Sequence, residues 1–207
     1  MKNKTMRRLP IYLLLPVASH MVGEPIERVN NGLHTMRTIL MRSWMATELA
    51  WISVISFGSD VRQIAPLTEI EQFQPPILQA GGGNSFGNAL RLVTNCAKTE
   101  VRRNMYGEND YRPMVFIMTD GLPTDDYISG IAEFKSYKWG SVIACGYGSH
   151  PTIEILSELS QKVVVLDNTD GWWTEKISTF FQWVSHTISA TCDNDDIPQP
   201  PPEISVV

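Results

Sequence analysis

Three polar clusters carry most of the side chains in this 207-residue chain that could do chemistry. Each follows a short apolar or glycine-rich segment. Hydroxyl, imidazole, amide and carboxylate groups can act as nucleophiles, as general bases or as ligands of a metal ion. In chain order, these side chains are Ser19 and His20, then Asn84 and Ser85, then Asp120, Asp125 and Asp126.

The spacing within these clusters does not predict an enzyme. Ser19 and His20 are neighbours in sequence, which rarely places a nucleophile against its base, and no Gly-x-Ser-x-Gly elbow occurs. The glycines at 81–83 are not followed by the Lys-Ser/Thr pair of a phosphate-binding loop, and no dinucleotide fingerprint is present. We therefore predict a non-enzymatic protein.

Structural roles explain several of the carboxylates. Asp125 and Asp126 stand where a helix should begin, so helix capping is favoured over a catalytic pair. Asp120 can cap neighbouring loop amides in the same way. His20 and Asp120 could together bind Zn²⁺, but two ligands are too few, so a hydrogen-bonded or solvated His20 is favoured.

The elements around the clusters alternate between strands and helices. The apolar run from Leu9 to Leu15 predicts a buried strand, and Met114 to Met118 predicts another. Further strands are predicted at 48–57, 61–65, 141–145 and 162–166, with helices at 24–42, after Ser85, at 125–137 and at 171–189. This order predicts an α/β fold with a doubly wound, mainly parallel sheet and helices on both faces. Ligands of such sheets bind at the loops that leave the carboxyl ends of the strands.

The composition limits the partners and the setting. Apolar residues make up 43% of the chain and charged residues 19%, which is typical of a packed globular protein. The net charge of −5 comes without a basic stripe, which disfavours nucleic-acid binding. The apolar run at 10–17 is too short to span a membrane. Three widely spaced cysteines fit a reducing, cytoplasmic location.

The chain divides into three parts by composition. Residues 1–8 form an extension, residues 9–190 form the domain, and residues 191–207 form an acidic, proline-rich tail. Because the tail offers little apolar area to offset the cost of ordering it, we expect the segment after about Thr191 to be dispensable for folding.

Three motifs in the correct order resemble the von Willebrand factor A (vWA) domain. They are Leu13-Leu-Leu followed by Met21-Val-Gly-Glu-Pro-Ile26, then Gly82-Gly-Asn-Ser-Phe-Gly87, then Thr119-Asp-Gly-Leu-Pro-Thr-Asp-Asp126. More narrowly, they resemble the bacterial TerY-like branch associated with tellurium resistance and stress-response loci. The resemblance covers roughly Leu9 to Ile188 and implies a Rossmann-like fold.

The resemblance also implies a site from which this sequence departs. The family's metal-ion-dependent adhesion site uses an Asp-x-Ser-x-Ser loop, a Thr or Ser on a second loop and an Asp on a third, which together hold Mg²⁺. The matching first-loop positions here are Pro16, Ala18 and His20. Asn84 and Asp120 occupy the other two, with Ser85 beside Asn84.

The substitutions predict a degenerate site. Because one carboxylate remains of the usual two, little compensates the cation for its lost hydration. We therefore expect neither a resident metal nor a cofactor, with Ser85 and Asp120 as the residual ligand candidates.

The resemblance implies a protein-interaction module of a bacterial stress response. Its partner would bind the loops at 16–22, 81–87 and 120–127 and could be a kinase or a phosphatase encoded nearby. We expect Asp125→Lys or Asn84→Arg to weaken that binding while leaving the fold intact. Trp172 and Trp173 are interpreted as structural, with a partner contact as the alternative. In the alternative function, a metal-dependent adhesion domain binds Mg²⁺ through Ser85, Asp120 and donors from its partner.

Overall fold

The described residues form seven strands and six α-helices. The computed structural model describes residues 7–103, 109–119, 122–148, 153–160, 162–167 and 173–207. The strands are β1 (Leu9–Pro16), β2 (Ala50–Phe57), β3 (Val61–Glu69), β4 (Met114–Thr119), β5 (Ser141–Gly148), β6 (Lys162–Asp167) and β7 (Ser205–Val206). The helices are α1 (Glu24–Leu40), α2 (Trp44–Leu49), α3 (Phe86–Glu100), α4 (Tyr127–Lys135), α5 (Ile153–Leu159) and α6 (Trp173–Asp193), with a 3-10 turn at Ser19–Met21.

All seven strands form one sheet in the order β3-β2-β1-β4-β5-β6-β7. The five inner strands are parallel to their neighbours, whereas β3 and β7 pair antiparallel at the two edges. The apolar composition of β1 and β4 suits this arrangement, since every residue of both strands is buried. The mainly parallel sheet predicted from the sequence is confirmed.

Helices cover both faces of the sheet, as the sequence predicted. Side chains alternate along β1, so Ile11 and Leu13 pack with α1 and α6, whereas Tyr12 and Leu14 pack with α3, α4 and α5. On the first face, Gly32 of α1 lies against the ring of Phe181 in α6, where a Cβ atom would collide with that ring. This contact lets the two helices approach closely.

Two local structures differ from the sequence prediction. The residues ahead of β2 form α2, which begins after Ser43, and the Ser43 hydroxyl oxygen accepts a hydrogen bond from the Ala46 amide at 3.1 Å. The predicted strand therefore begins at Ala50 instead of Glu48. The edge strand β3 also extends through Pro66, which an edge position tolerates because one side of the strand has no ladder to complete.

The C-terminal segment packs against the domain, contrary to the expectation that it is dispensable. Ile204 is 3% exposed, and β7 pairs with β6. The Val207 amide donates to the Val163 carbonyl at 3.0 Å. Farther back, the Trp183 indole N–H donates to the Pro198 carbonyl at 2.9 Å. The composition concealed this docking because a single buried isoleucine and a few backbone hydrogen bonds hold an otherwise polar segment.

We predict that deleting residues 197–207 lowers the free energy of unfolding by about 2 kcal/mol, because the burial of Ile204 and the pairing of β7 are lost. Urea unfolding of the parent and the truncated chain measures this change. Ile204→Ala should shift stability in the same direction, whereas Val206→Ala, at a side chain that is 58% exposed, should change it little. Equal stability of the parent and the truncated chain would contradict the docking.

Candidate functional site

The candidate site lies at the carboxyl end of the sheet, where three loops meet. The first loop (17–23) leaves β1, the second loop (80–85) leads into α3, and the described part of the third loop (122–126) follows β4. Because β1 lies between β2 and β4, the first and third loops leave neighbouring strands at the same edge. This position is the one in which parallel sheets bind ligands.

Backbone hydrogen bonds join the first loop to the second. The Gly81 amide donates to the Val17 carbonyl at 2.7 Å, and the Ser19 amide donates to the Gly82 carbonyl at 3.0 Å. Gly82 has a φ of +90° and lies against Ser59, so both its backbone conformation and its surroundings favour glycine. The bonds at Gly81 and Gly82 thus hold the glycine run against the first loop.

Asn84 joins the second loop to the third. Its carbonyl accepts from the Thr124 amide at 2.9 Å and from the Thr124 hydroxyl at 3.0 Å, and its side-chain amide donates to the Leu122 carbonyl at 3.5 Å. Asn84 is 6% exposed. It therefore lies beneath the loop surface, and we now expect Asn84→Arg to disturb the loops as well as the binding, in contrast to the expectation from the sequence.

Asp125 caps a different helix from the one that the sequence indicated. Its two carboxylate oxygens accept hydrogen bonds from the Gly87 and Asn88 amides, at 2.9 and 2.8 Å, in the first turn of α3. The close approach of the helices makes this contact possible, because a Cβ atom at Gly87 or Gly130 would collide with backbone of the other helix region. The negative charge also lies favourably at the N-terminus of α3.

Asp126 caps α4, as its position in the sequence predicted. Its carboxylate accepts from the Ser129 amide at 3.2 Å and lies 3.0 Å from the Arg91 guanidinium. Hydrogen bonds from Ser129 lower the pKa of Asp126, and the nearby Arg91 charge lowers it further. The two adjacent aspartates thus serve two helices, and neither is arranged as a catalytic pair.

The first-loop positions supply structure in place of metal ligands. Pro16 ends β1 as a buried residue, and the Ala18 side chain is 2% exposed. His20 lies at the surface with its Nε2 atom 3.1 Å from the hydroxyl of Tyr147 in β5. The buried Tyr147 hydroxyl also donates to the Met21 sulfur at 2.9 Å. Sequence reasoning missed Tyr147, whose position near the end of a parallel strand was the available signal.

The side chains of Pro16, Ala18 and His20 supply none of the oxygen ligands that an octahedral Mg²⁺ site requires. Pro16 and Ala18 have no side-chain donor atom, and the Ser85 hydroxyl donates to the Ser59 carbonyl at 3.2 Å. Within the described ranges, no three His, Cys, Asp or Glu side chains come together to hold a metal ion. Asp120 and Trp172, both singled out from the sequence, lie outside the described residues, as does the side chain of Trp173.

Exposed apolar side chains lie at this same end of the molecule. Val22 follows the first loop's 3-10 turn and is 62% exposed, Leu122 in the third loop is 73% exposed, and Ile128 in the first turn of α4 is 70% exposed. We call these three residues the apolar rim. Sequence reasoning overlooked them because single apolar residues in loops carry no periodic signal.

We predict that Asp125→Ala lowers the free energy of unfolding by about 1 to 2 kcal/mol, because it leaves two amides of α3 without an acceptor. Asp125→Asn should lower the free energy of unfolding by less, since the side-chain amide oxygen still accepts one hydrogen bond. Chemical unfolding measures both variants, and Thr124→Ser, which keeps the neighbouring hydroxyl, is the control. If Asp125→Ala is as stable as the parent, the cap does not support the loops.

Known proteins place this geometry in a family. A family model described as the von Willebrand factor type A domain matches residues 31–171, whereas no curated protein matches the chain. No helix among the described residues is long and apolar enough to cross a membrane.

Several solved structures have a similar fold. A von Willebrand factor type A protein from Catenulispora acidiphila superposes with a TM-score of 0.62 at 14% identity, over 89% of this chain and 43% of that one. Proximal thread matrix protein 1 from the mussel byssus, with a zinc-occupied MIDAS motif, superposes with a TM-score of 0.62 at 16% identity. The match covers 87% of this chain and 48% of that one. The ArnB paralog VWA2 from Sulfolobus acidocaldarius superposes with a TM-score of 0.57 at 14% identity. The match covers 88% of this chain and 45% of that one.

This chain spans less than half the length of each of these proteins, and at such identities the likeness concerns the fold alone. The family model, however, covers about two thirds of the sequence, and its match includes the second and third loops of the site. The chain therefore belongs to the von Willebrand factor type A domain family.

Proposed function

We propose that this vWA domain is a non-enzymatic protein-interaction module that binds its partner at the carboxyl end of the sheet, largely without a metal ion. The observation that carries the proposal is the direct bonding of the three loops to one another. Backbone contacts at Gly81 and Asn84 and the carboxylate of Asp125 hold the loops in one arrangement. A surface ordered before binding loses less conformational entropy when a partner docks.

The chemistry of the rim supports a partner with an apolar anchor. Val22, Leu122 and Ile128 together expose aliphatic surface where the family's usual site would present a cation. Contact centres of protein interfaces are depleted in charge and enriched in apolar side chains. His20, exposed beside the rim, adds a hydrogen-bonding group at its border.

We further propose the cellular process in which this domain acts and the class of its partner. The TerY-like motifs quoted from the sequence support a role in a bacterial stress response, in the cytoplasm, with a kinase or a phosphatase encoded nearby as the partner. A pull-down from the native host, followed by mass spectrometry, identifies the proteins that bind. Recovery of neither enzyme class would remove the TerY-like assignment while leaving the binding surface to be tested separately.

We predict that Leu122→Asp and Ile128→Asp each weaken binding of the recovered partner by about tenfold or more, because each places a charge in an apolar contact. Calorimetry with the purified partner measures the affinities. Trp44→Asp is the matched control, since Trp44 is 72% exposed and begins α2 near the opposite end of the sheet. Unchanged affinity in both rim variants would place the interface elsewhere.

The alternative is a metal-dependent adhesion domain whose partner completes the ion site. One observation favours it. The Thr119 hydroxyl is buried at the end of β4, next to Asp120, and has no hydrogen-bond partner among the described residues. The zinc-occupied MIDAS motif of the mussel protein belongs to the same fold. Calorimetry with Mg²⁺, Mn²⁺, Ca²⁺ and Zn²⁺, with and without the partner, separates the two functions.

We predict that Pro16→Asp, Ala18→Ser and His20→Ser together create Mg²⁺ binding that the parent lacks, because they restore one carboxylate and two hydroxyls. Adding Asn84→Thr should strengthen it. Mg²⁺ at about 100 times its dissociation constant should then stabilise the variant by about 2.7 kcal/mol. Thermal melts with Mg²⁺ and with chelator measure this shift. Equal stabilisation of the parent would overturn the metal-independent proposal and favour the alternative.

A further inference from the structure

A cleft at the amino end of the sheet concentrates positive charge. It has a volume of about 440 Å³ and lies where α3 and α4 end and β4 and β5 begin. The loops described above leave the other end of these strands, roughly 20 Å away for a strand the length of β4. We call it the basic cleft; its cationic lining is Lys98, Arg103, Arg112 and Lys138.

Three of these four cations form no ion pair with a carboxylate in the part of the chain that the structure describes. Lys98 lies 3.6 Å from Glu133. The Arg103 guanidinium donates to the main-chain carbonyl of Asp110 at 3.3 Å, so that contact does not neutralise its charge. Arg112 and Lys138 are exposed and form no ion pair or hydrogen bond with any described residue. The cleft therefore carries more positive charge than the described carboxylates around it neutralise.

Two carboxylates described near the cleft, those of Asp110 and Glu100, already have other partners. Asp110 is 2% exposed and is paired with Arg8 at 2.5 Å. The Glu100 carboxylate accepts from the Tyr12 hydroxyl and from the Gln63 side-chain amide, both at 2.9 Å. Moving either carboxylate to the cleft would leave its present partner in the protein interior without an acceptor, which costs free energy. Neither Asp110 nor Glu100 can therefore neutralise the cations of the cleft at little cost in free energy.

The walls between the cations are apolar and firmly held. Val101 is buried, and the half-buried Tyr137 donates from its hydroxyl to the Ala97 carbonyl at 3.3 Å. Burial raises the pKa of Tyr137, and the neighbouring Arg103 charge opposes that rise. Tyr137 also packs on Trp139, with ring centroids 4.5 Å apart. An incoming segment can thus set methylene groups on these walls and its charges on the surrounding cations.

We propose that the basic cleft is a second binding site, which takes an acidic segment of a partner protein. Lys98 lies in α3 and Arg103 follows that helix, whereas the other two cations precede β4 and β5, so the positive charges are spread over several segments and are not gathered around one point that a compact phosphate could occupy. Cations on separate elements suit carboxylates spaced along a chain. The net charge of −5 repels a nucleic-acid backbone, which carries many charges, more strongly than it repels a short peptide with a few carboxylates.

The test uses fluorescence anisotropy with a labelled Glu-Gly repeat peptide, and with the matching Gln-Gly peptide as the uncharged probe. The full chain should bind the Glu peptide, more weakly at higher salt, and should not bind the Gln peptide. Arg112→Glu with Lys138→Glu should weaken binding by about tenfold or more. Arg28→Glu with Arg62→Glu changes the net charge equally, away from the cleft, and should keep the affinity within about twofold.

Thermal melts verify that each variant is folded, and Arg112→Gln with Lys138→Gln replaces the reversal pair if that pair unfolds. Absence of Glu-peptide binding, or equal weakening in both reversal pairs, overturns the proposal. A single-stranded oligonucleotide that binds more tightly than the peptide, and loses binding in the same variant, would make this a nucleic-acid site. Displacement of the peptide by millimolar inorganic phosphate would make it a small-anion site.

Discussion

The backbone amides and carbonyls of the loops at the carboxyl end of the sheet need hydrogen-bond partners. The arrangement of the candidate site depends on which partners they find. β1 and β4 are buried along their whole length, so their loops emerge side by side with amides and carbonyls that need partners. Hydrogen bonds between the loops meet this need at Gly81, Asn84 and Asp125.

Asp125 shows why part of this site could not be predicted. The sequence indicates that an aspartate near a helix start is a cap, and that chemistry holds. It does not indicate which helix, because the choice depends on the contact between Gly87 and Gly130 that brings α3 against α4. A contact between residues more than forty positions apart leaves no local pattern. The contacts of Asp125 argue against the expectation that Asp125→Lys spares the fold, since this substitution would place a cation at the N-terminus of α3.

The elements themselves were largely predictable because their signals are local. Unbroken apolar runs mark β1 and β4, and helical periodicity marks α1, α3 and α6. The signal weakened where a few atoms decide the structure: the Ser43 cap begins α2, and Ile204 holds the C-terminal segment on β6. The contact of His20 with Tyr147 joins the loop after β1 to β5, and these two strands are not adjacent in the sheet, so the contact too depends on the folded arrangement.

The two ends of the sheet differ in their surface charge, and the amino-acid composition of the whole chain does not reveal this difference. A net charge of −5 describes an acidic chain, yet Arg103, Arg112 and Lys138 line one cleft at the amino end. The carboxylates of Asp110 and Glu100 bind other groups. At the carboxyl end the aspartates cap helices, and the exposed rim is aliphatic. Because buried pairing removes some charges from the surface and leaves others unbalanced, the whole-chain sum predicts neither end. One domain can therefore offer an apolar surface and a cationic cleft on opposite sides, and two partners with different chemistry could bind without competing for the same residues.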